Sequence, residues 1–134
     1  MKKLLVLILS LGFLLATSAK AETVLYCQSE LATGFSKSSG IWKEGSFNKE
    51  RFTIKFNSNY SLLEGISFDP MDCKAPYAHM EDIIFCVQSN YNYSTLRYNK
   101  KTSRFVHYFN PSEGYVGSSS TDTDILYAGT CKAF

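Results

Sequence analysis

The sequence has no Cys-x-x-Cys pair, which counts against a zinc knuckle and a thioredoxin-like redox site. Past residue 21 it has no apolar run long enough to cross a bilayer, so no later membrane anchor is expected. It holds only two histidines, His79 and His107, and no Ser-His-Asp or Cys-His arrangement can be assigned from their spacing. Its basic residues are scattered apart from Lys100, Lys101 and Arg104, so the electrostatic footprint of a nucleic-acid or anionic-lipid binder is missing. Repeats, linkers and low-complexity tracts are absent as well, which leaves one domain as the economical reading.

What is present starts with a positive head, Lys2 and Lys3, then an apolar run from Leu4 to Ala16 and the small residues of Ala19-Lys20-Ala21. This order predicts a secretory signal peptide over 1–21, cut after Ala21, ahead of a single β-rich domain over 22–134. The apolar run falls short of the roughly 20 residues of a membrane span. Cys27 follows Tyr26 and lies away from the cut, an unsuitable place for a lipid anchor. Cleavage would remove Lys2, Lys3 and Lys20, leaving eleven Lys and Arg against twelve Asp and Glu, a formal charge of −1 in place of +2. The predicted location is periplasmic or secreted, with no membrane anchor after cleavage.

Export makes disulfides the default state of Cys27, Cys73, Cys86 and Cys131. Four cysteines allow three pairings, and the sequence does not choose among them. Position leans toward Cys73 with Cys86, which bracket a short segment, and Cys27 with Cys131, which would tie the two ends together. Oxidation would also remove their nucleophilicity.

Arg51-Phe52-Thr53-Ile54-Lys55-Phe56 alternates polar and apolar residues without a break, the pattern of a half-buried strand. Val24 to Gln28, Leu62 to Phe68, Ile83 to Gln88, Tyr91 to Tyr98, Arg104 to Phe109 and Ile125 to Thr130 are rich in aromatic and branched residues and are also predicted strands. The polar segment from Asn99 to Ser103 predicts a hairpin between two of them. Turn signals come too often for long helices, and the two short helical candidates are Ser29 to Thr33 and Ala78 to Asp82. The predicted fold is therefore all-β: a single small antiparallel barrel or sandwich of about seven to eight strands, disulfide-stabilised. Twenty of the 134 residues are Phe, Tyr or Trp, enough bulky apolar area for a small core.

His79-Met80-Glu81-Asp82 sets an imidazole near two carboxylates, the chemistry of proton transfer or metal binding, but a surface turn or helix cap is the favoured reading. His107 falls in phase with Phe105 and Phe109, which predicts a neutral structural histidine in or beside the core. Asp122-Thr123-Asp124 offers too few ligands for a calcium site and is expected to be a solvated turn. No metal site and no cofactor is predicted. Tyr91, Tyr93, Thr95 and Arg97 share one face of their strand; a cross-strand aromatic ladder supporting the sheet is the favoured reading, and if the face is exposed its rigid aromatic plates and guanidinium would suit a protein or glycan partner.

With "LYCQSELATGF", "KERFTIKF" and "AGTCKAF" in view, the chain resembles small exported bacterial four-cysteine proteins of uncharacterised function, which share an early Tyr-Cys and a closing Gly-Thr-Cys-x-x-Phe. Here these are Tyr26-Cys27 and Gly129-Thr130-Cys131-Lys132-Ala133-Phe134, and the resemblance implies no activity. More loosely, the chain is similar to MliC-type periplasmic lysozyme inhibitors, which are small β-barrels with cysteines near both ends. Their inhibitory Ser-Gly-x-x-Tyr pattern is only approximated by Ser112-Glu113-Gly114-Tyr115, and no inhibitory residue is carried over. The leading expectation is a non-catalytic exported binding module for an unknown protein or glycan, inhibitor-like in mode, with Tyr91, Tyr93 and Arg97 as its contact residues. The alternative is a small periplasmic hydrolase or metal-dependent enzyme using His79 or His107 with a nearby carboxylate.

Overall fold

The computed structural model describes residues 21–67, 69–88 and 94–134. The signal peptide predicted over 1–21 lies outside them except for Ala21, and so do Tyr91 and Tyr93.

The described residues form nine strands, most of them with alternate side chains turned inward: β1 (Thr23–Ser38), β2 (Ile41–Ser46), β3 (Arg51–Phe56), β4 (Leu62–Glu64), β5 (Met71–Lys74), β6 (Ile83–Gln88), β7 (Ser94–Asn99), β8 (Arg104–Phe109) and β9 (Asp122–Ala133). All pairings are antiparallel, and β1, β3, β4, β5, β6, β7, β8 and β9 follow one another around a ring. The ring closes where β9 pairs with β1, making an eight-stranded barrel rather than a sandwich and leaving no open edge within that ring. β2 lies outside the ring and extends the sheet by pairing with the second half of β1.

Both disulfides join directly opposed residues of neighbouring strands. Cys27–Cys131 bridges the β1–β9 seam and Cys73–Cys86 bridges β5 and β6. All four cysteines are buried in the core with Leu25, Ile54, Phe56, Leu63, Met71, Ile84, Leu96, Tyr98, Phe105 and Tyr127. Two disulfides formed throughout suit an oxidising, extracytoplasmic compartment. Toward one end of the barrel Phe56 stacks on Tyr98 at 5.6 Å between ring centroids and tilts against Tyr60 at 5.0 Å, filling the interior with rings.

The hairpin between β7 and β8 forms as its sequence predicts, closed by Asn99 Oδ1 accepting from the backbone of Lys101 and Thr102. Elsewhere tertiary pairing overrides local signals. Ser29 to Thr33 is no helix but the middle of β1, where the register with β9 shifts between Ser29 and Leu31; pairing there satisfies more backbone than one isolated helical turn. Ala78 to Asp82 forms two successive turns, with Met80 N donating to Tyr77 O and Ile83 N to Met80 O. The strand predicted over Leu62 to Phe68 stops at Glu64, because Gly65 takes a φ of 103° and leaves the ladder. β2 and β5 carry weak local signals and form because the long β1 and the Cys73–Cys86 pair hold partners in place.

Candidate functional site

Two parts of the molecule carry unusual chemistry. The first is the outer face of the barrel wall around β8, β9 and β1. Residues opposed across an antiparallel ladder share a face. The register therefore sets Leu31 beside Ala128, Ala128 beside Val106 and Val106 beside Arg97 in one row. A second row runs Thr33, Leu126, Tyr108, and a third sets Glu44, Phe35 and Asp124 together. Leu31, Phe35, Val106 and Leu126 are all exposed, with Leu31 at 67%.

A loop is folded over the end of this face. Asp122 and Asp124 are not a solvated turn; they belong to β9, point outward, and are buried beneath residues 110–117. Asp122 Oδ2 accepts from Ser112 Oγ and from the Gly114 N–H, each at 2.7 Å. Asp124 Oδ2 accepts from the Tyr115 N–H at 2.7 Å, while its Oδ1 accepts from Asn110 Nδ2 at 2.8 Å and from the Tyr108 hydroxyl. The Ser112 hydroxyl, helped by backbone N–H groups of Thr123, Gly114 and Glu113, holds the Asp122 carboxyl below its usual range against the opposing effect of burial. Burial, then the bond to Asp124, pushes the Tyr108 hydroxyl up. Gly114 turns at φ 63°, and a Cβ there would meet Asn110 Nδ2 at 1.8 Å and Asp124 Oδ1 at 2.4 Å, so the loop needs glycine at this point.

These bonds fix a 3₁₀ turn, Gly114–Val116, that lifts Tyr115 and Val116 out of the surface, at 64% and 93% exposure. The Tyr115 ring tilts against Trp42 at 5.3 Å and Phe35 at 6.4 Å, and Lys37 Nζ lies 5.8 Å over the Trp42 ring.

The second region is the barrel interior at the end away from Phe56. β1 leaves β3 after Gln28, and Ser29, fully buried, staples that parting: its N–H donates to Glu50 O at 2.9 Å and its Oγ accepts from Glu50 N at 2.7 Å. Glu50 in turn accepts from the Tyr127 hydroxyl at 3.1 Å, and burial followed by this carboxylate pushes the Tyr127 pKa to about 12. The Tyr127 ring stacks on His107 at 5.9 Å. His107 Nε2 is 2.8 Å from Ser94 Oγ, whereas its Nδ1 is buried without a hydrogen-bond partner. Burial lowers the His107 pKa to about 4, so the imidazole is neutral at physiological pH. A cavity of about 210 Å³ borders Glu50, Phe52, Gly65, Ile66, His107 and Phe109, and one of about 300 Å³ adjoins it at Gly65, Ile66 and Phe109, with Ser67 and Gln88.

His107 is thus the buried, neutral histidine that its phase predicts. His79 lies on an exposed turn with its ring stacked on Tyr77 at 5.7 Å, far from the cavity in the fold. Arg97 sits on the outer face over the Phe85 ring at 5.6 Å and beside Val106, so it borders the apolar rows. Sequence reasoning missed Ser94, Glu50, Tyr127 and the Asp122–Asp124 loop. Ser94 alone carried a signal, a hydroxyl in phase with the inward Leu96 and Tyr98. Among the described residues no group of three or more His, Cys, Asp or Glu side chains is placed to hold a metal ion. In comparison with protein families, curated proteins and solved structures, the chain matches none.

Proposed function

We propose that the protein is a non-catalytic binding module, exported to the periplasm or beyond the cell, that holds a protein partner against the outer face of β8, β9 and β1. The observation supporting this is the run of exposed Leu31, Val106, Leu126 and Phe35 on one wall, continued by Tyr115 and Val116 on a loop anchored by two buried carboxylates. Exposed apolar residues grouped on one face mark an interaction site, and a pre-ordered loop loses little entropy on docking. The aliphatic make-up of the rows favours a protein over a glycan, since sugar rings are taken by flat aromatic faces flanked by polar groups. Tyr115 and Val116 form the tip of an inhibitor-like contact.

The enzyme reading draws on the Ser94–His107 hydrogen bond. It is the weaker one, because Ser94 is wholly buried and Glu50 bonds Tyr127 instead of orienting the imidazole through Nδ1.

The binding reading is tested by using the exported protein as bait against envelope proteins of its host. The wild type is compared with a Leu31→Asp, Leu126→Asp double variant and with Glu64→Ala on β4, across the ring from β8. A partner held equally by wild type and Glu64→Ala, and at least about tenfold less by the double variant, is the expected result, since loss of two central contacts weakens binding by that order. Equal retention by all three proteins would overturn the assignment.

A further inference from the structure

The barrel interior around His107 has two features that packing alone leaves unexplained. The imidazole is 4% exposed, yet Nδ1 has no partner, and a buried polar atom left unpaired costs free energy that native proteins normally avoid. The His107 side chain also borders space of about 210 Å³, lined among the described residues by Phe52, Ile66 and Phe109. An apolar cavity of about 150 Å³ is enough for a benzene ring, so this one suits a ring with a polar substituent.

Charge narrows the chemistry. Among the described residues bordering the two cavities there is no cation, and their one carboxylate, Glu50, already accepts from Tyr127; an anionic ligand would meet repulsion there. The tautomer narrows it further. If Nε2 donates to Ser94 Oγ, Nδ1 needs a donor; if Ser94 donates to Nε2, Nδ1 carries a proton and needs an acceptor. A hydroxyl group serves either case.

We propose that this end of the barrel is a binding site for a small neutral ring-bearing alcohol or phenol, its ring against Phe52, Ile66 and Phe109 and its hydroxyl bonded to His107 Nδ1. The site is separate from the outer face, so either proposal can fail without the other.

The test uses exported protein labelled with ¹⁵N in its histidine rings, where exposed His79 serves as an internal control for His107. Titration with p-cresol is expected to shift the His107 Nδ1 signal saturably and leave His79 unmoved. Toluene, which lacks the hydroxyl, and benzoate, which is charged, are expected to bind about fivefold to tenfold more weakly, the loss set by one net hydrogen bond. Ile66→Trp, which fills the space while leaving His107 in place, is expected to abolish the shift. A flat titration to millimolar p-cresol, or equal binding of toluene and p-cresol, would overturn the site and leave Nδ1 to a bound water.

Discussion

His107 makes the molecule's stability sensitive to mild acid. Its pKa is near 6.5 in the unfolded chain and about 4 when folded, so between these values the unfolded state binds the extra proton. Stability is complete above about pH 6.5, falls as pH drops toward 4, and levels off below; the whole loss is on the order of 3 kcal/mol. Among the described residues, the groups facing the ring are Ser94 from β7, Tyr127 from β9, Phe52 from β3 and Phe109 from β8 itself, with Glu50 reached through Tyr127. Tyr127, at about 12, stays neutral across this window. Urea midpoints measured from pH 7.5 to 4 should therefore fall steeply for the wild type and much less for His107→Leu, whereas parallel slopes would assign the acid sensitivity elsewhere. The burial of His107 was readable in the sequence because strand phase is a local property, shared with Phe105 and Phe109. Its surroundings were not: Tyr127 and Glu50 are 77 residues apart, and nothing local pairs them.

At the scale of the element, β1 decides the architecture. Its 16 residues serve three neighbours: the first half pairs with β3, the second with β2, and both with β9. Changing partners requires a parting, and the bonds between Ser29 and Glu50 close it. Ser29→Ala removes a fully buried hydroxyl that accepts from the Glu50 N–H and should cost about 1–3 kcal/mol, against at most about 0.5 kcal/mol for Thr33→Ala on the exposed side of the same strand. Chemical denaturation at pH 7 measures both, and equal costs would mean that water replaces the serine without penalty. β3 could be read from sequence because a buried face imposes period two, and β6 and β8 because aromatic and branched residues crowd them. The length of β1 could not, since Ala32, Thr33 and Gly34 suit several conformations and only the facing residues of β9 select the extended one. The same reason hid the site loop: Asp122 and Asp124 look like solvent-facing turn residues until the folded chain brings Ser112, Gly114 and Tyr115 over them.

For the whole molecule, the seam between β1 and β9 is where a linear chain becomes a closed barrel, and Cys27–Cys131 locks it across 104 residues, compared with 13 for Cys73–Cys86. In the chain-entropy description a crosslink stabilises by restricting the unfolded ensemble, by about 3 kcal/mol for a 15-residue loop and nearer 5 kcal/mol for about 100 residues. Replacing both seam cysteines by alanine should therefore cost more than replacing Cys73 and Cys86, by about 1–2 kcal/mol in urea unfolding at pH 7. Both costs are large beside the 5–15 kcal/mol typical of a folded domain. An equal or reversed order would mean that packing inside the core, where all four sulfurs are buried, outweighs loop length. Either pair can be removed without opening the hydrogen-bonded ladders, so the outer face should remain assembled in both variants and partner binding should follow the fraction folded. Binding lost in a fully folded seam variant would instead tie the shape of that face to the closure of the barrel.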